Sequence, residues 1–444
     1  MNAREFANSI CDDLIRNGFE ALFAGGCVRD LLLGREPEDY DVTTNATPDE
    51  VMALFPESVG VGAQFGVILI PRDGLKVEVA TFRSDVGYSD GRHPDAVIYA
   101  RTAEEDVQRR DFTINGLLMR HDSNQVLDFV NGRADLQSGI IRAIGNPARR
   151  FEEDKLRMLR AVRFAARFAF EIEPETFRAI RKHAANIDSV SAERIRDELT
   201  KLLVEGAAGD GFRLLDQTWL LKKVLPEVAA MKGVEQPPQY HPEGDVWVHT
   251  CMMLEGIPSG ASATLAWGVL LHDVGKPPTF RSAAETGDRI RFDGHVEVGI
   301  KISEEICRRL RMSNDDVDQI VALVANHMKF KDVDHMRAST LKRFVRIPKF
   351  EEHLALHRLD CLSSHRNLEA YEYVKQFLAD TPSEQVRPPR LLTGDDLLHL
   401  GFPPGPKFAQ ILRSIEDAQL EGIIKTREDA LKFVEKVYAH SGNG

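Results

Sequence analysis

A short segment near the start of the chain combines residue types that bind phosphate with residue types that bind metal ions. It reads LFAGGCVRDLLLGREPEDYD and includes Gly25, Gly26, Arg29, Asp39 and Asp41. The pattern predicts a strand, a tight glycine turn and a short helix, whose backbone N–H groups suit phosphate oxygens. In DYD, alternate residues of a strand face the same side, so we expect both carboxylates to point one way. Such a pair suits Mg²⁺-dependent transfer of a phosphoryl or nucleotidyl group.

Glu78 is a candidate for a third metal-binding carboxylate. It lies in the alternating stretch VEVATFR, which predicts a strand. As the hairpin partner of the DYD strand, this strand would bring Glu78 close to the two metal ions, about 3.5–4 Å apart, that a two-metal transfer uses. A solvent-facing position for Glu78 is the alternative that the pattern leaves open.

Two later stretches offer groups for a nucleotide. The first reads RRDFTINGL; in it Arg110 can pair with phosphates and Asp111 can accept a hydrogen bond from a ribose hydroxyl. The second reads FEEDKLRMLRAVRFAAR and predicts one continuous helix, on which Asp154 and Arg157 share a face. Together they offer an acceptor and a planar donor fork, as the Watson–Crick edge of a base does. An ordinary surface salt bridge between them is the alternative.

These motifs, in this order, resemble the class II branch of the polymerase-β-like nucleotidyltransferases, which holds bacterial tRNA CCA-adding enzymes and poly(A) polymerases. The RRDFTIN motif of that family matches almost letter for letter, with Gly116 where alanine is usual. Residues 84–97 are rich in Gly and Asp, too polar to pack, and resemble the flexible loop of the same family. The resemblance covers residues 20–205.

The resemblance implies that a tRNA 3′-hydroxyl attacks the α-phosphate of CTP or ATP and that pyrophosphate leaves. It makes Asp39 and Asp41 the catalytic, Mg²⁺-binding residues, with Glu78 as a further metal ligand. It also implies a set of nucleotide-binding residues: Gly25, Gly26, Arg29, Arg110, Asp111, Glu153, Asp154, Arg157, Arg160 and Arg163. Asp154 and Arg157 would select the base. Helical geometry puts Arg163 about opposite Asp154, so Arg163 fits this set less well than its neighbours.

A second group of histidines and aspartates follows in the later half of the chain. Its members are His249, His272, Asp273, His295, His327 and Asp360. Such ligands on separate helices can converge on one or two divalent ions. Their order, H…HD…H…H…D, resembles the complete ligand set of the HD phosphohydrolases over residues 245–366. The resemblance implies metal-dependent hydrolysis of phosphoesters at an RNA 3′ end, with Mg²⁺, Mn²⁺, Ni²⁺ or Fe as the ion. A degenerate, purely structural HD domain is the alternative.

The elements that must position these residues predict an α+β protein. Residues 1–140 alternate short apolar runs with turns and helices, which is typical of a mixed α/β nucleotidyltransferase head with a small sheet. After that, helical patterns dominate. We divide this all-α part into a neck at 141–205, a body at 206–375 that contains the HD domain, and a helical tail at 376–444.

Composition and charge narrow the functional classes further. The 444 residues are 43% hydrophobic and 28% charged, which is typical of a soluble protein of two to four domains. We expect no membrane association, because no apolar run is long enough for a span. Five scattered cysteines without a CxxC pair fit a cytoplasmic protein. The net charge is −12, but residues 142–182 hold eleven Lys and Arg against six Asp and Glu, which favours a local RNA contact.

Two alternatives to CCA addition remain open at this point. A poly(A) polymerase or an A-adding enzyme shares much of the loop and of the EDxxR element. In the other alternative, the HD phosphohydrolase is the main activity and the head is only an RNA-binding module. The intact Asp39, Asp41 and RRD sequence argue against that option. We therefore expect tRNA, CTP and ATP as binding partners, and we predict no protein partner.

Overall fold

The computed structural model describes residues 1–62, 66–86 and 96–438. The chain divides into two compact units. The first unit comprises Met1–Ala230, Ile257–Ala263 and Ile306–Met312, and the second comprises Met231–Gly256, Thr264–Glu305 and Ser313–Gly444. Within the described ranges, no helix has both the length and the apolar character that a membrane crossing requires.

The first unit is built on a mixed seven-stranded sheet. The described strands, in chain order, are β1 (Ala21–Ala24), β2 (Asp41–Thr44), β3 (Val59–Gly62), β4 (Val67–Arg72), β5 (Leu75–Thr81), β6 (Arg83–Val86), β7 (Ala96–Tyr99), β8 (Leu117–Met119), β9 (Val126–Asp128), β10 (Ile140–Ile141) and β11 (Glu171–Ile172). The large sheet has the order β3-β4-β5-β2-β1-β8-β9. Its β2–β5 pair is parallel and its other pairs are antiparallel. The predicted α/β head is thereby confirmed.

One edge of this sheet gathers the ends of three strands. β1 ends just before Gly25, β2 begins at Asp41, and β8 begins at Leu117. Because β1 is antiparallel to both neighbours, these three ends lie side by side. The Gly25 N–H donates to the Leu117 carbonyl at 3.0 Å. The predicted strand, glycine turn and short helix are confirmed, since a helix begins directly at Gly26.

Two local predictions about this edge are wrong. Only Asp41 of the DYD sequence belongs to β2, and Asp39 lies in a bend before the strand. β5 is a parallel neighbour of β2 and not its hairpin partner, because β3 and β4 intervene in the chain. The register nevertheless places Glu78 directly opposite Asp41. The buried Tyr40 between the two exposed aspartates preserves the predicted alternation of sides.

Helices surround the sheet and continue beyond it. In the first unit they are α1 (Ala3–Arg16), α2 (Gly26–Leu32), α3 (Pro48–Leu54), α4 (Ala103–Gln108), α5 (Gly132–Ser138), α6 (Pro147–Glu153), α7 (Leu156–Phe168), α8 (Pro174–His183), α9 (Ala192–Val204), α10 (Ala208–Gln217), α11 (Leu221–Val224) and α12 (Pro226–Ala229). A short 3₁₀ turn at Thr113–Asn115 leads into β8. Packing of α7 against α9 and α10 forms the helical region that follows the sheet.

The predicted continuous helix over residues 151–167 is wrong. It is interrupted at Asp154, whose φ of −143° and ψ of 107° are extended values. The Asp154 carboxylate accepts a hydrogen bond from the Leu156 N–H at 3.0 Å, the local bond by which aspartate competes with helix propagation. Two helices, α6 and α7, therefore replace one, and Asp154 lies in the break between them.

The polar stretch 84–97, predicted as a loop, is in part a strand pair. β6 and β7 are antiparallel, with Ser84 opposite Ile98. Residues 87–95, the middle of the predicted flexible loop, lie outside the described residues.

The described part of the second unit is helical apart from one isolated β-bridge, between Arg281 and Arg291. Its helices are α13 (Val246–Glu255), α14 (Ala263–Leu271), α15 (Lys276–Thr279), α16 (Ala283–Thr286), α17 (His295–Arg309), α18 (Asn314–Asn326), α19 (Ala338–Phe344), α20 (Phe350–Ser363), α21 (Glu369–Asp380), α22 (Ser383–Val386), α23 (Gly394–His399), α24 (Pro406–Leu420) and α25 (Arg427–Tyr438). The predicted all-α body and helical tail are confirmed. A 3₁₀ segment, His327–His335, follows α18.

Candidate active site and metal centre

A cleft of about 520 Å³ in the first unit collects most of the sequence-predicted head residues. Ten of them line it: Gly25, Gly26, Arg29, Asp41, Arg110, Asp111, Asp154, Arg157, Arg160 and Arg163. Asp39, Glu78 and Glu153 are not among its lining residues. Lysines and arginines outnumber aspartates and glutamates around the cleft by eight to four, so its lining attracts an anion of nucleotide size.

The glycine turn at Gly25 and Gly26 forms part of the cleft lining. Gly25 has a φ of +68°, a region that side chains with a Cβ rarely adopt. A Cβ at this position would lie 3.0 Å from Nη1 of Arg110. A glycine is therefore required both by the conformation of the turn and by the nearby guanidinium.

Arg29 and Arg110 border the cleft but already have protein partners. Arg29 is buried, donates to Asn115 Oδ1 at 2.6 Å and to Asp30 Oδ1 at 2.8 Å, and stacks over the Phe168 ring at 4.6 Å. The guanidinium of Arg110 lies 3.0 Å from Asp106 Oδ2. These contacts fix the position of both positive charges before any ligand arrives.

The Asp111 carboxylate is fully engaged by the protein. Oδ1 accepts hydrogen bonds from the Phe112 N–H at 2.8 Å and from the Asn115 amide at 3.1 Å. Oδ2 accepts one from Arg160 Nε at 2.9 Å and lies 2.7 Å from Nη2 of the same guanidinium. Burial would raise the pKa of Asp111, but Arg160 and Asn115 outweigh it and hold the pKa at about 2. Since a carboxylate offers about four acceptor positions, a ribose hydroxyl would have to replace one of these bonds.

Asp154 and Arg157 both line the cleft but do not pair with each other. Asp154 accepts two hydrogen bonds from Arg194 of α9, at 3.2 and 2.8 Å. Arg157 donates to Glu153 Oε2 at 2.9 Å and to the Arg109 carbonyl at 3.0 Å. The alternative of a simple salt bridge between the two is therefore wrong. Each side chain is held by its own partners, and both still line the cleft.

Arg163 lines the cleft but is buried, and its guanidinium forms ion pairs with two glutamates. Its Nε donates to Glu198 Oε2 at 2.7 Å and its Nη1 to Glu205 Oε2 at 2.9 Å. The guanidinium also lies over the Phe164 ring at 4.3 Å. Only 4% of the residue is exposed, so little of it is available to a nucleotide.

The carboxylates at the sheet edge form an unneutralised cluster. Asp41 remains accessible to solvent, but the protein atoms packed around it reduce its hydration. This desolvation and the Glu78 charge raise the pKa of Asp41 to about 6; Asp39 adds to the effect and Arg110 opposes it. This position of Asp41 among other carboxylates fits a bound cation, because a divalent ion removes the repulsion.

The six predicted metal ligands of the second unit converge at one place. Ligand atoms within 4.8 Å of one another form two groups: His249, His272 and Asp360 in one, and Asp273, His295 and His327 in the other. Asp273 links the two groups, because its Oδ2 lies 3.1 Å from His272 Nε2 and its Oδ1 lies 3.7 Å from His327 Nε2.

Backbone carbonyls fix the ring orientation of three of these histidines. Nδ1 of His272, His295 and His327 lies 2.8, 3.0 and 2.7 Å from the carbonyl oxygens of Val269, Phe292 and Val324, respectively. A proton on Nδ1 therefore donates to the backbone and leaves the Nε2 lone pair free. All three Nε2 atoms are buried without a hydrogen-bond partner. Such orphaned acceptors, aimed at two carboxylates, fit divalent metal ions.

In its metal-free form the cluster holds a protonated His249 and an ionised Asp273 at neutral pH, so a metal ion that binds there would displace the His249 proton. Burial alone would lower the pKa of His249, but Asp360 and Glu243 raise it to about 9. Burial likewise opposes ionisation of Asp273, yet His272 and Lys276 hold the pKa of this carboxyl well below its usual range. The aspartates are thus ionised at neutral pH and ready to bind cations. The adjoining cavity of about 1030 Å³ is lined by Asp273, His295, His327 and Asp360 and by basic and aromatic side chains.

Three protein families match successive parts of the chain. Residues 21–142 match the "Poly A polymerase head domain", residues 169–232 the "Probable RNA and SrmB- binding site of polymerase A", and residues 245–360 the "HD domain". The head and HD families depend on metal ions.

Relatives that span the whole chain decide the family. The CCA-adding enzyme of Levilactobacillus brevis is 33% identical over 96% of this chain and 96% of its own length. That of Leuconostoc mesenteroides is 31% identical over 98% of this chain and 97% of its own. The chain belongs to the CCA-adding enzyme family. A crystal structure of the Bacillus stearothermophilus CCA-adding enzyme in complex with CTP is 25% identical, with a TM-score of 0.76 over all of both chains.

Membership of the CCA-adding enzyme family makes CCA addition by nucleotidyl transfer the function of this protein, and it favours neither the poly(A) nor the HD-only alternative. The cleft lining also includes residues that the sequence did not reveal, among them Asn115, Phe164, Arg167, Lys201 and Glu205. Asn115 lies within the RRDFTIN motif, so its neighbours were a usable signal. Lys201 and Glu205 come from the end of α9, and no local pattern distinguishes them from surface residues.

Proposed function

We propose that this chain adds and repairs the 3′-terminal CCA of tRNA with CTP and ATP, and that it releases pyrophosphate. The observation that carries the proposal is the arginine-lined cleft, which begins at Asp41 and the glycine turn and also contains Asp154 and Arg157. A nucleoside triphosphate would fit this lining, with its phosphates near the arginines and the glycine turn and its base near Asp154 and Arg157.

The end of the cleft with the glycine turn is the triphosphate site in this proposal. The turn at Gly25 and Gly26 and the guanidinium of Arg110 would bind phosphate oxygens, while Arg29 holds the turn against Asn115. Asp39, Asp41 and Glu78 would hold Mg²⁺. The ion would supply charge neutralisation at the α-phosphate and a more acidic tRNA 3′-hydroxyl.

Asp154 and Arg157 would read the base. Arg194 holds the Asp154 carboxylate, and Glu153 holds the Arg157 guanidinium. The protein therefore presents a hydrogen-bond acceptor and a planar donor group in fixed positions. Cytosine and adenine share an exocyclic amine that such an acceptor can bind, which fits the use of CTP and ATP. Arg160 is positioned by Asp111 to support the sugar or the primer end.

The nucleotides used separately provide the test. The protein is incubated with tRNA that lacks CCA, and with CTP alone, ATP alone or both. We expect two cytidines from CTP alone and a terminal adenosine only when both are present. Incorporation of ATP without any use of CTP would contradict CCA addition and support the A-adding or poly(A) alternative.

We also propose that the HD cluster is an active, metal-dependent phosphohydrolase site for phosphoesters at RNA 3′ ends. Three orphaned Nε2 atoms and two ionised aspartates support this and speak against a degenerate domain. His/Asp ligand sets accept Mg²⁺, Mn²⁺, Ni²⁺ or Fe. Dialysis against a chelator should abolish hydrolysis of a phosphomonoester, and re-addition of each ion in turn should identify the active one. Full activity after chelation would contradict the proposal.

The proposal also covers the domain bounds and the cellular location of the protein. We retain the division into a head at 1–140, a neck at 141–205, a body at 206–375 and a tail at 376–444. The head match, which ends at 142, and the HD match at 245–360 are compatible with it, whereas the match at 169–232 runs across the boundary between neck and body. We place the protein in the cytoplasm, where its five buried cysteines would stay reduced. We predict no protein partner.

A further inference from the structure

The histidines of the HD cluster are held in two different ways. His272, His295 and His327 each place Nδ1 against the carbonyl of the residue three positions earlier. His249 lies inside α13, where the carbonyl three positions earlier, that of Val246, already accepts a hydrogen bond from Thr250 Oγ1 at 2.8 Å. His249 therefore needs another partner for Nδ1.

A carboxylate outside the HD motif takes this role. Glu243 lies in the segment before α13, and only 4% of its side chain is exposed. Its Oε1 is 2.7 Å from Nδ1 of His249 and 2.9 Å from Nδ1 of His241. The His241 and His249 rings meet edge to face, with centroids 4.9 Å apart. The carboxylate thus forms a hydrogen bond with Nδ1 of His241 and a close ion-pair contact with Nδ1 of His249, although the angle of this second contact is not that of a hydrogen bond. The opposite nitrogen of His249, Nε2, lies 3.2 Å from Asp360.

We propose that Glu243 is a positioning residue that holds His249 with its Nε2 lone pair toward Asp360 and His272 and strengthens metal binding at that group. A carboxylate partner makes the imidazole a stronger ligand than a backbone carbonyl does, because the negative charge raises the basicity of the far nitrogen. The two metal-binding groups would then differ in strength, with the group of His249 the stronger. This inference rests on the proposed metal-dependent function of the HD cluster.

Cobalt binding tests the inference without any use of enzymatic activity. Co²⁺ is titrated into the metal-free full-length protein and followed by its visible absorption and by calorimetry. We expect Glu243→Ala to weaken binding at the affected site by about 10- to 100-fold. Glu243→Gln keeps an acceptor and the side-chain volume but loses the charge, so it should give an intermediate loss. Glu351→Gln, at an exposed glutamate at the start of α20, is the matched control and should bind as the wild type does.

A double-mutant cycle separates positioning from a general effect on the fold. If Glu243 acts through His249, Glu243→Ala should cause no further loss of affinity in a His249→Ala protein. Unchanged cobalt affinity in both Glu243 variants would overturn the inference, and so would a loss of equal size in the His249→Ala background. A wild-type protein that binds no cobalt would instead overturn the proposed HD metal site, and the inference with it.

Discussion

The nucleotide cleft and the HD cluster organise polar groups in opposite ways. In the cleft, most charged side chains already have a partner of opposite sign: Asp111 holds Arg160, Arg194 holds Asp154, and two glutamates hold Arg163. In the HD cluster, backbone carbonyls fix the far side of three imidazoles and Glu243 lies against the fourth, and all four Nε2 atoms lack a hydrogen-bond partner. The first arrangement positions groups around a large ligand, whereas the second leaves buried nitrogen atoms that a small cation can bind.

This difference separates two kinds of preorganisation. Paired arginines keep their geometry in the absence of a nucleotide, and the excess of positive charge is spread over the whole cleft lining. The buried, unpartnered acceptors of the HD cluster carry a desolvation cost that ends when a metal ion binds. Mutations should therefore act on chemistry and selectivity in the cleft, but on metal affinity in the cluster.

The largest expected effect is a complete separation of the two activities. Asp41→Ala should lower incorporation of CMP and AMP into tRNA lacking CCA by at least about 10³-fold, because it removes a metal ligand worth several kcal/mol of transition-state stabilisation. Hydrolysis of a phosphomonoester should change less than about twofold. Asp273→Asn should do the reverse and also abolish metal uptake by the HD cluster. Retained nucleotide incorporation in the Asp41 variant would show that the head has been assigned wrongly.

Arg163 should matter for stability more than for nucleotide binding. Arg163→Ala removes the closer partner of the buried Glu198 and leaves it only Arg160, at 3.7 Å, so we expect the free energy of unfolding of the first unit to fall by about 3 kcal/mol in a denaturant titration, the lower end for a broken buried ion pair. The KM for CTP should change less than about threefold at a temperature where the variant is folded. Arg149→Ala, at an exposed arginine, is the control. A large rise in KM with unchanged stability would return Arg163 to the nucleotide-binding set.

Loss of Arg194 should relax base selection by a smaller amount. Arg194→Ala removes the two hydrogen bonds that orient Asp154, and a charge-assisted bond of this kind is worth about 1.5–3 kcal/mol. We therefore expect discrimination against UTP and GTP, measured as a ratio of kcat/KM values, to fall by about tenfold. Arg196→Ala on the same helix should leave the ratio unchanged. An unaltered ratio in the Arg194 variant would mean that Asp154 does not need this support.

The smallest expected effect is a pH dependence at the sheet edge. The pKa of Asp41 is raised to about 6, so the folded metal-free protein binds this proton more tightly than the unfolded chain does. The associated stability is present below the unfolded pKa of about 4 and is lost as the pH rises through about 6. Asp41→Asn should accordingly raise the melting temperature of metal-free protein at pH 7.5 by about one degree, and have no such effect below pH 4.

Two further measurements complete that prediction. Because protons compete with Mg²⁺ for Asp41, the Mg²⁺ concentration needed for half-maximal nucleotide addition should rise as the pH falls through about 6. Glu38→Gln, at an exposed neighbouring acid, should not alter the melting temperature. A requirement for Mg²⁺ that does not vary between pH 5 and pH 8 would remove Asp41 from the metal site.

The sequence by itself determined which side chains we predict to carry the chemistry. Glycine turns, the DYD carboxylates, RRDFTIN and the spaced histidines are recognisable because their chemistry needs those residue types in that order. The helical body and tail also followed from the sequence, since helical periodicity is a local property of the chain. At position 25 the sequence predicted a tight glycine turn, and the structure supplies its conformation, a positive φ beside the Arg110 guanidinium.

Only the tertiary structure decided the partners of these side chains. The parallel pairing of β2 with β5, the break in the helix at Asp154, and the contacts of Asp154 with Arg194 and of His249 with Glu243 were not predicted. The hairpin prediction was wrong because strand order depends on packing of the whole sheet. The helix prediction was wrong because one side chain bonded to the backbone instead of continuing the helix. Partner choice depends on side chains that are distant in the chain, and local patterns carry no information about them.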